Sequence, residues 1–339
     1  MISKMNRIFY ILLSLALMVT TSVSAVNVTF TIDESMKTPE GMTAAESNLS
    51  AILTEINRAQ KAKEPVSVKN MVADDFAKNS LARLWAVTPF YCDDDDVVDR
   101  LWVFKDGSMM CSHIPLIITP SDDSFGYGTY QEAVVEFDAS GKITDFRFAL
   151  DNHTAESMER CGSVVEKEKQ MIILQYVERF RTAYNMKDLK TIEDMFSDDA
   201  LIITGHVVMK KKLTDSETAT FKVEYTKQNK QQYIANLRKA FLRNKWIDVK
   251  FSQIGENGEE GGCAGITRSK IDPTKYGVRL HQSWKSSNYS DEGYLFLLWE
   301  FPKDGSSPII HVRTWQPEWA GGKKQKPDDD ISTLGGFDL

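Results

Sequence analysis

Histidine and aspartate side chains are the groups in this sequence that could move protons near neutral pH. His206 lies shortly beyond the adjacent carboxylates Asp198 and Asp199. An imidazole at the mouth of a pocket could act as an acid or a base, and two paired carboxylates could share that work. More often such a histidine lies in an exposed loop, and such a pair caps a turn. We therefore expect no catalytic residue here.

Two further charged clusters have simpler interpretations. The acidic run 93–96 lacks the alternating spacing of a calcium-binding loop, and the basic run 210–212 is short, so both are typical of solvated loops. The sequence contains no phosphate loop, no nucleophile elbow, no HExxH helix and no zinc-spaced Cys/His cluster. It therefore predicts no cofactor and no metal site.

Two long amphipathic helices are predicted, and these elements would position the candidate acid–base residues. Apolar residues recur at helical spacing over 46–62 and again over 166–185. A Met-x-x-Asp-Asp segment follows each helix, at 71–75 and at 195–199. The two halves of the chain thus begin alike.

The two halves also end alike. Segments 134–148 and 298–315 both predict a strand, a glycine-containing turn and a second strand, with Gly141 and Gly305 in the turns. Matched beginnings and matched ends favour an internal repeat over chance similarity.

The middle of the second half predicts an α+β layout. A helix is expected at 233–241, and strands at 200–204, 276–284, 293–301 and 309–316. Gly205 is expected to end the first of these strands. Asn257-Gly258, between apolar segments 246–254 and 263–270, is typical of a tight hairpin. Helices followed by a long meander favour helices packed on one face of a sheet.

Strict alternation along the final two strands predicts two faces. Leu295, Leu297, Trp299 and Phe301 should meet the helices, with Ile310 and Val312 beside them. The opposite face should then carry Tyr294, Phe296, His311, Arg313 and Trp315, which we expect to be an interface. The first half, a second chain, or the core of a curved sheet could cover it.

On these residues the second half resembles the nuclear transport factor 2-like (NTF2-like) superfamily, including its SnoaL-like branch. The resemblance is carried by the helix 173–184, the segments 187–189 and 195–200, Gly205, the helix 233–241 and the closing strands. It implies two tandem cone-shaped units, each with helices packed on a curved antiparallel sheet and the first one trimmed. It also implies a pocket in the second unit, for which the candidate ligand-binding residues are Tyr176, Tyr184, His206 and Trp299.

The expected boundaries follow from these elements. We expect a signal peptide at 1–25, a linker at 26–44, a first unit at 45–152, a second unit at 165–317 and a disordered tail at 320–339. The signal peptide is predicted from Lys4 and Arg7, the apolar run 8–19 and a cleavage site after Ala25. That run is too short to span a bilayer, so a periplasmic or secreted protein is expected.

Charge and cysteine content limit the partners and the covalent framework. The 339-residue chain has a net charge of −7, and such an acidic protein is a poor candidate for binding nucleic acid. Export would allow disulfides among Cys92, Cys111, Cys161 and Cys263, which can pair in three ways. The pair Cys92–Cys111 is favoured because it brackets one strand segment.

Three functions remain open on this basis. The leading hypothesis is an exported non-catalytic protein that binds a small hydrophobic molecule or a protein partner, with a homodimer as one arrangement. The alternatives are an enzyme with acid–base chemistry in the second pocket, and a structural module of the cell envelope. The NTF2-like superfamily hosts all three kinds of protein, so the resemblance does not choose among them.

Overall fold

The computed structural model describes residues 25–119, 129–150, 167–210, 220–255, 258, 265–304 and 306–337. It contains helices packed on two separate sheets, which confirms the predicted α+β class. Among the described residues, no helix is both long enough and apolar enough to cross a membrane.

The first half of the chain forms a five-stranded sheet with two helices. Its elements in chain order are β1 (Asn27–Thr31), α1 (Met42–Ala62), α2 (Asp75–Val87), β2 (Phe90–Tyr91), β3 (Asp96–Arg100), β4 (Trp102–Val103), β5 (Met109–Ile118), β6 (Thr129–Phe137) and β7 (Ile143–Phe148). The sheet has the order β2-β5-β6-β7, with β4 on β5, while β1 and β3 form a separate parallel pair. The predicted hairpin β6–β7 is confirmed.

Local sequence explains where the first two helices begin and end. The apolar stripe of α1 is buried, and Lys63 ends the helix in the left-handed conformation, with φ of 54°. The side chain of Asp74 accepts a hydrogen bond from the backbone of Ala77 and so caps α2. Sequence analysis missed α2 because it treated the Asp74-Asp75 pair only as part of a repeated segment.

The second half forms a seven-stranded sheet with three helices, followed by a C-terminal extension. Its elements are α3 (Lys167–Asn185), α4 (Leu189–Met195), β8 (Phe196–Lys210), β9 (Thr220–Asn229), α5 (Lys230–Arg243), β10 (Ile247–Ser252), β11 (Ile266–Arg268), β12 (Lys275–Ser286), β13 (Ser290–Glu300), β14 (Ile309–Pro317), β15 (Trp319–Ala320), β16 (Lys323–Lys324), α6 (Asp329–Ser332) and a 3₁₀ helix (Leu334–Phe337). The order is β10-β12-β13-β14-β8-β9, with β11 also on β12.

This second sheet is antiparallel except where β14 runs parallel to β8. Its inner face packs against α3 and α5 in one apolar core, in which Phe180, Leu237 and Leu297 are all buried. The first sheet has its own core around α1 and α2. The helix predicted at 233–241 lies within α5, where Asn229 and Gln232 form a capping box.

Two strand predictions in the second half are wrong. Gly205 does not end β8, which continues to Lys210 because it pairs along its length with β9. The segments around Asn257-Gly258 do not pair with each other, since β10 and β11 both pair with β12, one after the other along the same edge. Most of the predicted hairpin loop lies outside the described residues.

The predicted linker and the predicted disordered tail are both structured. Residues 27–31 form β1, and Phe30 is buried beside α1, so 26–44 is not merely a linker. The segment 318–337, called here the C-terminal segment, folds over the outer face of the second sheet. There the phenyl ring of Phe337 stacks on Phe296, with the ring centroids 5.8 Å apart.

The favoured disulfide is also wrong. Cys92 and Cys111 are both buried free thiols. Phe90 pairs with Ile118 and Tyr91 with Ile117. Continued by one residue, this register sets Cys92 opposite position 116, which is five residues along β5 from Cys111. At about 3.4 Å a residue that separation far exceeds the reach of a disulfide. Cys161 and Cys263 lie outside the described residues.

Candidate functional site

A cavity of about 500 Å³ lies at one end of the second sheet. Its wall is formed by the middle of β8, the β12–β13 turn and the end of β14. The residues that line it are Gly205, His206, Val207, Ser283, Trp284, Lys285, Tyr289, Ser290, Asp291, Glu292, Trp315, Pro317 and Trp319. His206, Tyr289 and Trp319 are exposed at the mouth, whereas Trp315 is buried.

A β-bulge in the last hairpin decides which side chains reach this region. Leu298 pairs with Val312, but the next residue, Trp299, pairs with Ile310, so His311 is the extra residue. One inserted residue reverses the facing of every side chain beyond it. Arg313 therefore lies opposite Leu297 on the helix side of the sheet, and Trp315 lies opposite Leu295.

This reversal corrects the predicted faces. Arg313 and Trp315 do not share the outer face with Tyr294 and Phe296, and Val312 moves to that outer face, where it packs with Phe296. His311, at the bulge itself, lies between two carboxylates. Its Nδ1 is 3.4 Å from Asp199, and its Nε2 is 2.7 Å from Glu300.

The outer face itself is covered by the C-terminal segment. The hydroxyl of Tyr294 donates to the backbone carbonyl of Gln325 at 3.0 Å, and the hydroxyl of Thr314 donates to that of Ile331 at 2.6 Å. The expected interface is thus made by the chain's own extension. Alternation along a strand could not reveal this, because it does not say what covers a face.

Buried polar side chains form a layer beneath the cavity. Arg313 is buried, with its guanidinium 5.2 Å from the ring centroid of Tyr233, and it donates to the side chain of Gln282 at 3.3 Å. The hydroxyls of Tyr184 and Tyr233 are hydrogen-bonded to each other. Burial alone would lower the pKa of Arg313, but Tyr233, Tyr184 and Asp291 outweigh it and raise that pKa, so the arginine stays charged.

Asp291 is the carboxylate on the cavity wall. It lies opposite Trp284 in the β12–β13 register, and its Oδ2 accepts a hydrogen bond from the hydroxyl of Tyr289 at 2.7 Å. Its Oδ1 is buried and has no hydrogen-bond partner among the described residues. Burial raises the pKa of Asp291, while Tyr289 and the charge of Arg313 oppose that rise without cancelling it.

Two tryptophans supply the apolar part of the wall. The ring of Trp284 lies 5.8 Å from that of Tyr184, which connects the cavity to the buried layer. The ring of Trp315 covers Gly293 so closely that a Cβ there would lie 2.8 Å from it. Like the Asp291 oxygen, the buried Nε1 of Trp315 has no hydrogen-bond partner in the described part of the chain.

The four predicted ligand-binding residues are not brought together. His206 lines the cavity, and Tyr184 contacts the lining residue Trp284 from below. Tyr176 and Trp299 contact each other near the middle of α3, with ring centroids 5.8 Å apart. Trp299 is fully buried there and does not line the cavity.

Sequence reasoning missed Asp291, and it predicted Arg313 and Trp315 as interface residues rather than as residues near the cavity. Asp291 lies two residues before the predicted strand 293–301, and no motif marks it. Arg313 and Trp315 were considered, but the bulge that turns them inward leaves no signal in the alternation. Gly293 offers a signal in the sequence. Because it has no side chain, it leaves room for the ring of Trp315, and aligning β13 and β14 from that contact would place Trp315 on the inner face.

A second cavity of about 730 Å³ lies between the first sheet and α3. It is lined by Phe104, Lys105, Asp106, Ser108, Met109, Glu136, Phe137, Thr144, Ile172 and Gln175. The partly buried carboxylate in its lining, Glu136, already pairs with Arg147 and Arg179. The smaller cavity is the better candidate site because it holds buried polar atoms that still lack a partner.

Comparisons with known proteins bear on the fold alone. No protein-family model and no curated protein matches the chain. Among solved structures it is similar to Bd1075 of Bdellovibrio bacteriovorus, with 12% identity, a TM-score of 0.31 and coverage of 44% of this chain and 41% of that one. The chain thus spans less than half the length of Bd1075.

Two NTF2-like proteins of unknown function are also similar. The one from Pseudomonas putida KT2440 is 11% identical, with a TM-score of 0.33 and coverage of 48% of this chain and 96% of that one. The one from Shewanella oneidensis MR-1 is 13% identical, with a TM-score of 0.28 and coverage of 44% and 98%. Scores this low support no argument about function. The predicted resemblance to the NTF2-like superfamily agrees with the names of these structures and concerns the fold alone.

Proposed function

We propose that this chain is an exported binding protein whose second unit holds a small, largely apolar ligand that carries a hydroxyl or amine group. The observation that carries the proposal is a pair of buried polar atoms that belong to two residues lining the cavity, Oδ1 of Asp291 and Nε1 of Trp315. Neither has a hydrogen-bond partner among the described residues.

Unpaired buried polar atoms are costly, which is why they favour a ligand. Leaving a buried donor or acceptor unsatisfied costs about 1–3 kcal/mol, and a ligand that pairs with it recovers much of that free energy. The cavity volume of about 500 Å³ falls within the range of small-molecule sites.

The lining indicates the chemical class of the ligand. Trp284 and Trp315 offer flat apolar surfaces on which an aromatic ring can stack. Asp291 offers an acceptor for a hydroxyl or amine, and the Trp315 indole offers a donor. A simple phenol combines these features and is the minimal probe of the proposal.

The export part of the proposal rests on the signal-like sequence described above. Lys4, Arg7, the apolar run 8–19 and Ala25 support delivery across a membrane and cleavage. A protein partner in place of the small ligand would be expected to cover the exposed mouth residues Tyr289 and Trp319.

The test compares p-cresol with toluene, which differ by one hydroxyl group. Binding to the purified mature chain is followed by tryptophan fluorescence. We expect saturable binding of p-cresol that is about fivefold tighter than that of toluene, because one net hydrogen bond is worth about 1 kcal/mol. In Asp291→Ala the two ligands should bind equally.

The matched control is Asp304→Ala, which removes an aspartate from the exposed β13–β14 turn. It should keep the preference for p-cresol. Absence of binding of both probes to the unmodified protein would contradict the proposal, as would an undiminished preference for p-cresol in Asp291→Ala.

One observation favours a second candidate function, acid–base catalysis on a ligand in the same cavity. A carboxyl whose pKa is raised by burial holds its proton to higher pH and is better suited to general acid–base work than an exposed aspartate. Turnover of a bound phenolic or enolic compound that Asp291→Asn abolishes, with binding retained, would favour the enzyme over the binding protein.

A further inference from the structure

Three potential metal ligands converge on the outer face of the second sheet, beside the cavity, whose lining includes one of them, Glu292. They are His281 on β12, Glu292 on β13 and Glu318 directly after β14. One ligand atom from each lies within 4.8 Å of the corresponding atoms of the other two. The three residues come from neighbouring chain segments, so the sheet itself holds them together.

We propose that His281, Glu292 and Glu318 bind a divalent first-row transition-metal cation of the Zn²⁺ type. Of these three residues, only Glu292 also lines the ligand cavity proposed above. One imidazole and two carboxylates are a donor set that such cations accept, with further positions left for water.

The distances within the cluster fit a shared cation. Nε2 of His281 is 3.3 Å from Oε2 of Glu318. Two donors about 2.1 Å from a tetrahedrally coordinated ion lie about 3.4 Å apart, so these atoms already have the required separation. Glu292 is exposed and can rotate its carboxylate by the small remaining distance.

Backbone pairing fixes the site on all three sides. Tyr294 pairs with His281 and Ser283 pairs with Glu292, so the histidine and the glutamate are diagonal neighbours on one face. The backbone N–H of Glu318 donates to the carbonyl of Glu292 at 3.0 Å. This bond holds Glu318 beside β13 rather than letting it swing into solvent.

Lys324 competes with the cation for one ligand. Its ammonium group donates to Oε1 of Glu318 at 2.8 Å. In the absence of metal this ion pair neutralises part of the acidic charge around His281. A bound cation would have to overcome the repulsion of the lysine, so removal of that charge should strengthen metal binding.

A second histidine–carboxylate cluster on the same sheet provides a natural control. His311 contacts Asp199 through Nδ1 and Glu300 through Nε2. Because its two ring nitrogens face different carboxylates, the ring separates them, and a single ion cannot bind both together with the imidazole. This cluster should not contribute to metal binding.

The experiment is calorimetric titration of the untagged mature chain with Zn²⁺, with Ca²⁺ titrated separately. We expect one Zn²⁺ site per chain. Ca²⁺ should bind much more weakly, because it prefers oxygen ligands and makes little use of an imidazole. Titration with Co²⁺ should produce visible absorption bands of a site with a nitrogen ligand.

Three variants decide the location. Glu292→Gln changes an exposed side chain and should weaken Zn²⁺ binding at least tenfold, whereas Lys324→Gln should strengthen it several-fold. Glu300→Gln, in the control cluster, should leave it unchanged. Absence of stoichiometric Zn²⁺ binding would overturn the proposal. So would unchanged affinity in Glu292→Gln, since that variant should fold normally.

Discussion

Asp291 is held where folding disfavours its charge. Burial raises the pKa of Asp291 above the ordinary value of 3.8, and the Tyr289 hydroxyl and the Arg313 guanidinium only partly offset that rise. The native state therefore binds this proton more tightly than the unfolded state does. The burial that raises the pKa of Asp291 comes from its position next to the buried layer of Tyr184, Tyr233 and Arg313.

The pH dependence of stability tests this arrangement. Because the folded pKa is the higher one, Asp291 favours the folded state below pH 4 and progressively disfavours it as pH rises through the raised value. Asp291→Asn should therefore gain free energy of unfolding, relative to the unmodified protein, between about pH 4 and pH 7. Urea unfolding at several pH values measures the difference.

Asp304→Asn is the control of opposite sign. Hydrogen bonds from Ser306 lower the pKa of Asp304 in the folded state, so this carboxylate stabilises the fold above its unfolded pKa. Its replacement should cost stability at neutral pH and not in acid. A difference for Asp291→Asn that does not vary with pH would contradict the burial argument.

At the scale of elements, the sequence predicts what local pattern determines and misses what pairing determines. The stripes of α1, α3 and α5 and the two Gly-containing hairpins follow from periodicity and turn chemistry, and the structure contains them. The bulge at His311 does not follow from either, because it depends on how β13 aligns with β14. Because the register shifts by one residue at this bulge, the sequence-based prediction placed Arg313 and Trp315 on the outer face instead of the inner one.

The C-terminal segment shows the same limit. Its Gly, Asp and Lys content is typical of disorder, yet Leu334 is buried and the guanidinium of Arg279 donates to Asp329 at 2.9 Å. The segment is ordered because the outer face of the sheet offers Phe296, Leu298 and Val312 for it to cover. Such a partner lies too far away in sequence for composition to reveal it.

Removal of the end of this segment should expose that face. We expect a chain ending at Gln325 to lose at least about 3 kcal/mol of stability, since it uncovers one buried leucine and a stacked phenylalanine pair. It should also bind the dye ANS. Urea unfolding and dye fluorescence measure both effects.

The control for this truncation removes only residues 338–339 and should behave like the full chain. If the chain ending at Gln325 kept its stability and bound no dye, the outer face would not depend on the C-terminal segment. The cover would then have to come from elsewhere, as the sequence analysis first expected.

At the scale of the whole molecule, the two halves meet through α3 rather than sheet against sheet. One face of α3 packs into the second core, and the other carries polar groups toward β6 and β7. The backbone N–H of Phe148 donates to the hydroxyl of Thr182 at 3.1 Å. Hydrogen bonds and ion pairs cross this junction, and two apolar side chains cross it as well, Met186 into the first core and Leu150 into the second.

Arg147 is the centre of this junction. It is almost completely buried and pairs with Asp145 and Glu136 at 2.7 Å and with Glu178 of α3 at 3.1 Å. Burial alone would lower the pKa of Arg147, but the three carboxylates outweigh it and raise that pKa. Burial also raises the pKa of Glu178, and Arg147 opposes that rise.

Replacement of this arginine should loosen the two halves from each other. In Arg147→Met the buried carboxylates Asp145 and Glu178 lose their main counter-charge, and breaking a buried pair in this way costs about 3–5 kcal/mol. The pKa of Glu178 should rise further, so the loss should shrink as pH falls and that carboxylate takes up a proton.

Arg83→Met is the matched control, because Arg83 also bridges the halves, to Asp188 at 3.2 Å, but is about half exposed. It should cost less than about 1 kcal/mol. Urea unfolding followed by fluorescence and by circular dichroism should give two separated transitions for Arg147→Met alone. Equal stability of the two variants would mean that the buried ion cluster does not hold the halves together.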